Sequence, residues 1–135
     1  MTPILIITGN LILLCLGTLH LYYTLFTNKF STRDAVTVEK MKADYPVLTK
    51  GTTVWNAWIG FNGSHSIGAI FFGIINIYLV VRYQEIVTHD PFFFILNTVV
   101  LGFYLWLAVK YWFNAPLVGI ALAFGCQVGA LIHVI

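Results

Sequence analysis

Four long runs without charged residues divide this chain, and they constrain its fold more than any other feature. The runs cover residues 1–28, 51–81, 91–109 and 111–135. Each can hold a helix of about 20 residues, the length that crosses the hydrocarbon core of a bilayer. Charged residues make up only 9% of the sequence and the mean hydropathy is +0.87, whereas soluble domains carry roughly 25% charged residues. The sequence therefore predicts an all-α fold, an integral membrane four-helix bundle in a single transmembrane domain spanning residues 1–135.

Helix-capping and helix-breaking residues lie between the runs and predict where the spans begin and end. The expected helices are approximately 3–26, 53–82, 91–113 and 115–135. Asp90 followed by Pro91 is typical of an N-cap with proline at the first helical position, and the segment 114–116 predicts a tight hairpin. The first run resembles a retained helix rather than a cleaved signal, because no Lys or Arg precedes it and no small-residue cleavage site follows it.

The basic residues predict the orientation of the chain in a cell (inner) membrane. Of the seven Lys and Arg residues, all but Arg82 lie in the 29–50 loop or, as Lys110, beside the third loop on the same side. Loops rich in Lys and Arg remain in the cytoplasm. We therefore expect a multi-pass protein with a cytoplasmic 29–50 loop and both termini outside. The net charge of only +2 gives no basic surface for nucleic acid.

The 29–50 loop carries a helical pattern of its own. The sequence S-T-R-D, which begins at Ser31, predicts an N-cap at Ser31 with an acidic residue three positions later. Apolar residues follow at helical spacing: Ala35, Val38, Met41, Tyr45 and Leu48. The favoured interpretation is an amphipathic helix lying on the cytoplasmic membrane face. The alternative is a docking surface for a partner.

The second span begins with the most informative motif, W-N-A-W-I-G-F-N-G-S-H-S-I-G from Trp55 to Gly68. At about 100° per residue, Gly60, Ser64 and Gly68 share one face. Small residues at this spacing let another helix approach closely. A second face is lined by isoleucines suited to lipid, and a third is polar and contains Trp58, Asn62, His65, Ala69 and Asn76. Lipid cannot satisfy polar groups, so this third face must meet protein, a cavity or a ligand.

His65 and His20 are the candidate centre of an intramembrane site. His65 lies about 10 Å along the helix from the interfacial Trp58, at roughly 1.5 Å per residue, and His20 shortly precedes a tyrosine pair that marks the same interface. Two imidazoles at similar depth, with Asn62 and Ser66, could ligate a haem iron or a metal, hold a quinone headgroup, or relay a proton. The plainer interpretation, which the sequence favours, is that each histidine hydrogen-bonds a neighbouring helix.

The fourth span repeats the small-residue pattern at Ala121, Gly125, Gly129 and His133. This pattern predicts a helix-packing face that ends at a histidine, and the role of His133 stays open. Asn76 and Asn97 could pair and build a second, outward polar pocket with it, although helix packing is the favoured role. The two cysteines form no redox or zinc motif. No hydrolase, zinc-protease or nucleotide-binding motif is present, which favours a non-enzymatic protein.

The segment Trp55–Gly73, which contains the motif W-x(5)-F-N-x-S-H-S-x-G and then F-F-G, resembles the core of a family of small uncharacterised bacterial four-helix membrane proteins. The resemblance implies a bacterial membrane setting and supplies no catalytic residue. The sequence favours an accessory or interaction subunit of a larger membrane complex, in contact with lipids and with other subunits or further copies of itself. The alternative is a protein that binds a small molecule or cofactor, such as haem, quinone or lipid, around His65.

Overall fold

The computed structural model describes residues 1–134, and helices are the only regular elements among them. In chain order they are α1 (Thr2–Phe26), α2 (Ala35–Ala43), α3 (Val54–Arg82), α4 (Gln84–Val87), α5 (Pro91–Tyr111) and α6 (Asn114–Ile132). Four of them, α1, α3, α5 and α6, are long and apolar enough to cross a membrane. The predicted all-α architecture with four spans and a short helix between the first two is confirmed.

Side-chain caps explain where two of the spans begin. Thr53 accepts a hydrogen bond at Oγ1 from the N–H of Asn56 (3.2 Å) and starts α3. Asp90 accepts from the N–H of Phe92 (3.0 Å), and Pro91 follows it at the start of α5. These caps satisfy N–H groups that have no partner inside the helix. The predicted Asp90 cap is confirmed.

The connection between α5 and α6 lies two residues earlier than predicted. Trp112 and Phe113 join the two helices, and the N–H of Trp112 still donates to the carbonyl of Ala108 (3.2 Å). The predicted hairpin at 114–116 is wrong, because Asn114 already begins α6. Pro116 then falls in the first turn, where its missing N–H has no helical acceptor to lose.

The N-cap of α2 is Asp34, and the prediction of Ser31 is wrong. The Asp34 carboxylate accepts from the N–H groups of Val36 (3.2 Å) and Thr37 (3.1 Å). Ser31 instead donates its own N–H to the carbonyl of Asn28 in a preceding turn. α2 ends at Ala43 and buries no residue, so the last two positions of the predicted apolar pattern lie beyond the helix.

The chain forms two compact units, and the first consists of residues 1–16 and 69–135. Most of its buried positions on the four long helices lie three, four or seven residues apart, the spacing of a bundle interior. The buried positions are Ile6, Gly9, Asn10 and Leu13 on α1, Ala69, Gly73, Asn76 and Val80 on α3, Val87 on α4, Phe94, Asn97, Leu101 and Ala108 on α5, and Ile120, Ala123, Gln127 and Ala130 on α6. Because all four spans contribute to both core clusters, this unit is a four-helix bundle.

Three glycines allow α1 to pack closely against its neighbours in this first unit. A Cβ built on Gly73 of α3 would lie 2.9 Å from the Asn10 carbonyl oxygen and 3.0 Å from the Cβ of Leu14. On the other side of α1, a Cβ on Gly9 would lie 3.0 Å from the carbonyl oxygen of Ala123 in α6. Only glycine leaves room for backbones at these distances. A Cβ on Gly119 would also crowd a leucine side chain of α1.

The second unit, residues 17–68, contains the end of α1, the connecting segment with α2, and the start of α3. A backbone hydrogen bond from the N–H of Val54 to the carbonyl of Asp44 (3.0 Å) ties the segment after α2 to the first residue of α3. This unit contains the histidine pair predicted from the sequence.

Candidate functional site

A hydrogen bond between α1 and α3 forms the centre of the candidate site. Nε2 of His20 lies 3.0 Å from Oδ1 of Asn62. Asn62 is only 9% exposed and His20 is partly buried. Both side chains come from membrane-spanning helices, where a polar group without a partner is costly. The bond satisfies both groups and fixes the spacing of the two helices at this depth.

The neighbouring polar side chains bond to their own helices. The Asn62 amide group donates from Nδ2 to the carbonyl of Trp58 (2.8 Å), Ser66 donates to the carbonyl of Asn62 (2.8 Å), and Thr24 donates to the carbonyl of His20 (2.8 Å). Each bond spans four residues of a helix, as is common for polar side chains in membrane helices. The Trp58 bond also identifies Oδ1 as the acceptor atom of Asn62.

That assignment determines which proton His20 carries. An amide oxygen only accepts, so Nε2 of His20 must be the protonated nitrogen. In the neutral ring, Nδ1 is then a hydrogen-bond acceptor. The site thus offers an imidazole acceptor held in a fixed orientation.

The second imidazole lies directly against the first. The ring centroids of His20 and His65 are 5.5 Å apart and the rings are nearly perpendicular, at 78°. The two rings are in contact, as the sequence suggested, and their depth in a membrane stays a prediction. Phe30, from the connecting segment, covers His20 with a centroid distance of 4.4 Å and a tilt of 39°. An aromatic side chain therefore shields one side of the pair.

This geometry distinguishes among the ligands considered from the sequence. Two axial histidines bind haem iron from opposite faces of the macrocycle, whereas these rings contact each other edge to face. His20 and His65 in this arrangement do not fit haem as an axial pair. No group of three or more metal-ligating side chains occurs within residues 1–134. With Nε2 of His20 donating to Asn62, Nδ1 of the neutral ring is left with hydrogen-bond acceptor chemistry.

The structure places the other predicted site residues unequally. Ser66 is fully buried and its hydroxyl donates to the Asn62 carbonyl. It therefore contacts the backbone of α3 at the site. Trp58 is 41% exposed and takes part through its backbone carbonyl. Its side chain therefore does not belong to an inward polar face. Asn62, Ala69 and Asn76 of that predicted face are buried.

The predicted packing face of α3 is exposed in the part of the chain that the structure describes. Gly60, Ser64 and Gly68 are exposed, and a Cβ on either glycine would meet nothing within 4 Å. For contacts within the chain the prediction is wrong, because the interior of α3 follows a different set of small residues. In α6, a Cβ on Gly125 also meets nothing within 4 Å, whereas one on Gly129 would contact Leu5 at 3.5 Å.

Several buried amide side chains in the first unit were not predicted from the sequence, or have other partners than those predicted. Asn10 donates to the Ile6 carbonyl (2.9 Å), and Gln127 donates to the Phe94 carbonyl (3.4 Å). Asn76 and Asn97 each donate to a carbonyl of their own helix rather than to each other. The predicted asparagine pair is therefore wrong. A regular spacing of three or four residues between polar and apolar positions would have placed Asn10 in the interior.

No family model, curated protein or solved structure matches this chain. The resemblance carried by the Trp55–Gly68 motif stays a prediction, and the contacts of His20, Asn62 and His65 carry the functional inference.

Proposed function

We propose that this small multi-pass membrane protein binds an amphipathic molecule at the His20–Asn62–His65 cluster. The molecule has an apolar body and a hydroxyl-bearing headgroup, as a quinol or a polar lipid has. The single observation that carries the proposal is the contact between two imidazoles on α1 and α3, with ring centroids 5.5 Å apart. The sequence favoured a subunit role, and this contact changes the preference to ligand binding.

The second imidazole is the reason for preferring a site over simple helix association. One hydrogen bond between His20 and Asn62 joins α1 to α3. The His65 ring adds a second ionisable group in contact with His20. Ionisable residues in membrane spans are costly, and they commonly mark ligand or proton pathways. Two such residues in contact therefore support a binding role.

The ligand chemistry follows from the atoms that the cluster presents. Nδ1 of His20 accepts a hydrogen bond while Nε2 is held by Asn62. A quinol hydroxyl or a lipid-headgroup hydroxyl supplies the matching donor. Tyr23 and Phe30, with ring centroids 6.2 Å apart, provide aromatic surface on the same side of the unit as His20. The cluster thus combines a polar acceptor with apolar walls, as small-molecule sites do.

The membrane setting is part of the same proposal. The basic residues of the 29–50 loop support a cytoplasmic location for this segment, and the resemblance of the Trp55–Gly68 motif suggests a bacterial inner membrane. His20 lies near the end of α1 that leads into this loop. The ligand would then bind with its headgroup near the cytoplasmic face and its apolar body among the lipid chains.

Mass spectrometry of small molecules that co-purify with the protein in mild detergent tests the proposal. We expect a stoichiometric quinol or polar lipid with the native protein, and its loss from His20→Ala and His65→Ala while both still fold. His89→Ala is the matched control, because His89 is an exposed histidine outside the cluster. His65→Gln separates the two roles: it can replace a hydrogen bond between helices but not an imidazole site.

Retention of the same molecules by every variant would overturn the binding proposal. If the His65 variants differ from the native protein only in thermal stability, and His65→Gln is more stable than His65→Ala, then His65 only joins helices. An interhelical hydrogen bond of that kind contributes about 0.6–2 kcal/mol in membrane proteins. The absorbance spectrum of the same sample detects haem directly, and a Soret band would contradict the ligand class proposed here.

A second candidate function, an interaction subunit, is supported by the exposed face formed by Gly60, Ser64 and Gly68. These three small residues point away from the chain's own helices. Their spacing is that of membrane helix pairs, and the partner would be a helix of another subunit or of a second copy. Gly68→Leu should abolish association in native mass spectrometry without lowering thermal stability. An unchanged oligomeric state and unchanged co-purifying proteins would remove this candidate.

A further inference from the structure

A surface depression of about 320 Å³ in the first unit contains the two histidines that the candidate site does not use. Three segments meet there: the start of α1, the region of α4 with the turn that follows it, and the end of α6. The lining residues are Thr2, Pro3, Gln84, Thr88, His89, His133 and Val134. The sequence suggested an outward pocket at His133, but the residues beside it are His89 and Gln84 rather than the two asparagines.

Hydrogen bonding orients the ring of His89 in a way that favours metal ligation. Its Nδ1 lies 2.7 Å from the carbonyl oxygen of Glu85. A carbonyl only accepts, so Nδ1 carries the proton and Nε2 of the neutral ring has a free lone pair. Histidines that bind metals commonly donate their other ring N–H to a backbone carbonyl, which fixes the tautomer and the direction of the ring.

His133 approaches the depression from the end of α6. It is the C-cap residue of that helix, and its backbone N–H donates to the carbonyl of Leu131. The carbonyl groups at a helix C-terminus carry a partial negative charge that favours a nearby cation. Gln84 and Thr88 add neutral oxygen atoms to the lining. The depression thus presents two imidazoles, oxygen donors and a favourable field for a cation.

We propose that His89 and His133 bind a divalent transition-metal ion that prefers imidazole ligands, such as Cu²⁺, Ni²⁺ or Zn²⁺. Nε2 of His89 is one ligand and the His133 ring is the other. Because no cluster of three His, Cys, Asp or Glu side chains occurs within residues 1–134, water completes the coordination shell. The site is therefore open, and Cu²⁺ should bind more tightly than Ni²⁺ or Zn²⁺. This proposal does not depend on the function of the His20–His65 cluster.

Calorimetric titration with each metal alone tests the proposal. The full-length protein is purified in detergent through a tag that contains no histidine, and is stripped of metal with a chelator. We expect one Cu²⁺ per chain. The electron paramagnetic resonance spectrum of the bound Cu²⁺ should show nitrogen hyperfine structure from two imidazoles. His89→Ala and His133→Ala should each weaken binding about tenfold or more. His20→Ala and His65→Ala are the matched histidine controls and should bind as the native protein does.

Three results would overturn the assignment. The first is the absence of measurable Cu²⁺ binding. The second is binding that survives the His89→Ala, His133→Ala double variant, and the third is binding lost instead from His20→Ala. Both residues are exposed, so these variants should fold. His89→Gln, checked by the elution volume in size-exclusion chromatography, confirms that weaker binding comes from the lost ligand rather than from misfolding.

Discussion

Replacement of Gly73 by alanine tests how closely α1 and α3 approach each other. The new Cβ would lie 2.9 Å from the Asn10 carbonyl oxygen and 3.0 Å from the Leu14 Cβ. Real Cβ atoms do not come so close to backbone oxygen, so the two helices must move apart. Overpacking of this kind typically costs about 1–3 kcal/mol of folding free energy. Alanine also removes the conformational entropy penalty of a helical glycine, which is roughly 0.5–1 kcal/mol in soluble proteins.

Gly68→Ala is the matched control in the same helix. A Cβ at this position meets nothing within 4 Å, so only the helix-propensity gain applies. Because that gain is common to both variants, the difference between them isolates the steric cost. We expect Gly73→Ala to be less stable than Gly68→Ala by about 1–3 kcal/mol.

Equilibrium unfolding in mixed micelles, followed by tryptophan fluorescence, measures this difference. Gly9→Ala should behave like Gly73→Ala, since its Cβ would lie 3.0 Å from the Ala123 backbone oxygen. Gly119→Ala should cost less, because the crowding atom is the end of a flexible leucine side chain. Equal stability of Gly73→Ala and Gly68→Ala would refute the close approach of the two helices at Asn10.

Three further predictions concern the loop and the histidine cluster. A cysteine at Lys40, in a background without the native cysteines, should resist an impermeant reagent in intact cells because the basic loop is cytoplasmic; rapid labelling would reverse the topology. Hydrogen bonds from the Thr37 hydroxyl and nearby backbone N–H groups lower the pKa of Asp34 below its ordinary value of 3.8. The ionised cap of α2 should persist as pH falls to 3.8 and disappear only as pH passes through the lowered pKa, and a carboxyl carbon NMR titration with its midpoint at or above 3.8 would contradict this. Asn62→Ala should leave His20 without its Nε2 partner and lower the free energy of unfolding by about 1–3 kcal/mol; a stability equal to that of the native protein would show that the bond is not formed.

The span positions could be predicted because they depend on local properties of the sequence. Uncharged length sets a transmembrane helix, and Asp90 with Pro91 sets the start of α5 through one local hydrogen bond. The contact between His20 and His65 was also accessible, because interfacial tyrosine and tryptophan residues fix the depth of each histidine along its helix. The span positions needed no knowledge of which helices pack together, whereas the histidine contact also required α1 to lie beside α3.

The packing face of α3 could not be chosen from the sequence, because small residues occur on more than one of its sides. Gly60 and Gly68 match the spacing of a helix-packing motif as well as Gly73 does. The side of α3 that packs inward depends on α1, because Asn10 and Leu14 of α1 lie against Gly73. The packing face therefore depends on the sequences of both helices. The Ser31 cap failed for a local reason, since two candidate caps lie close in sequence and the helix begins after the second of them, Asp34.

Nitrogen NMR of histidine-labelled protein in detergent tests the proposed binding site most directly, because all four histidines report in one spectrum. The delipidated protein is compared with protein replenished with the quinols and polar lipids of the host membrane. We expect the ring signals of His20 and His65 to move together, with Nε2 of His20 protonated, while those of His89 and His133 stay in place. Unchanged signals for His20 and His65 in the replenished sample would contradict the site.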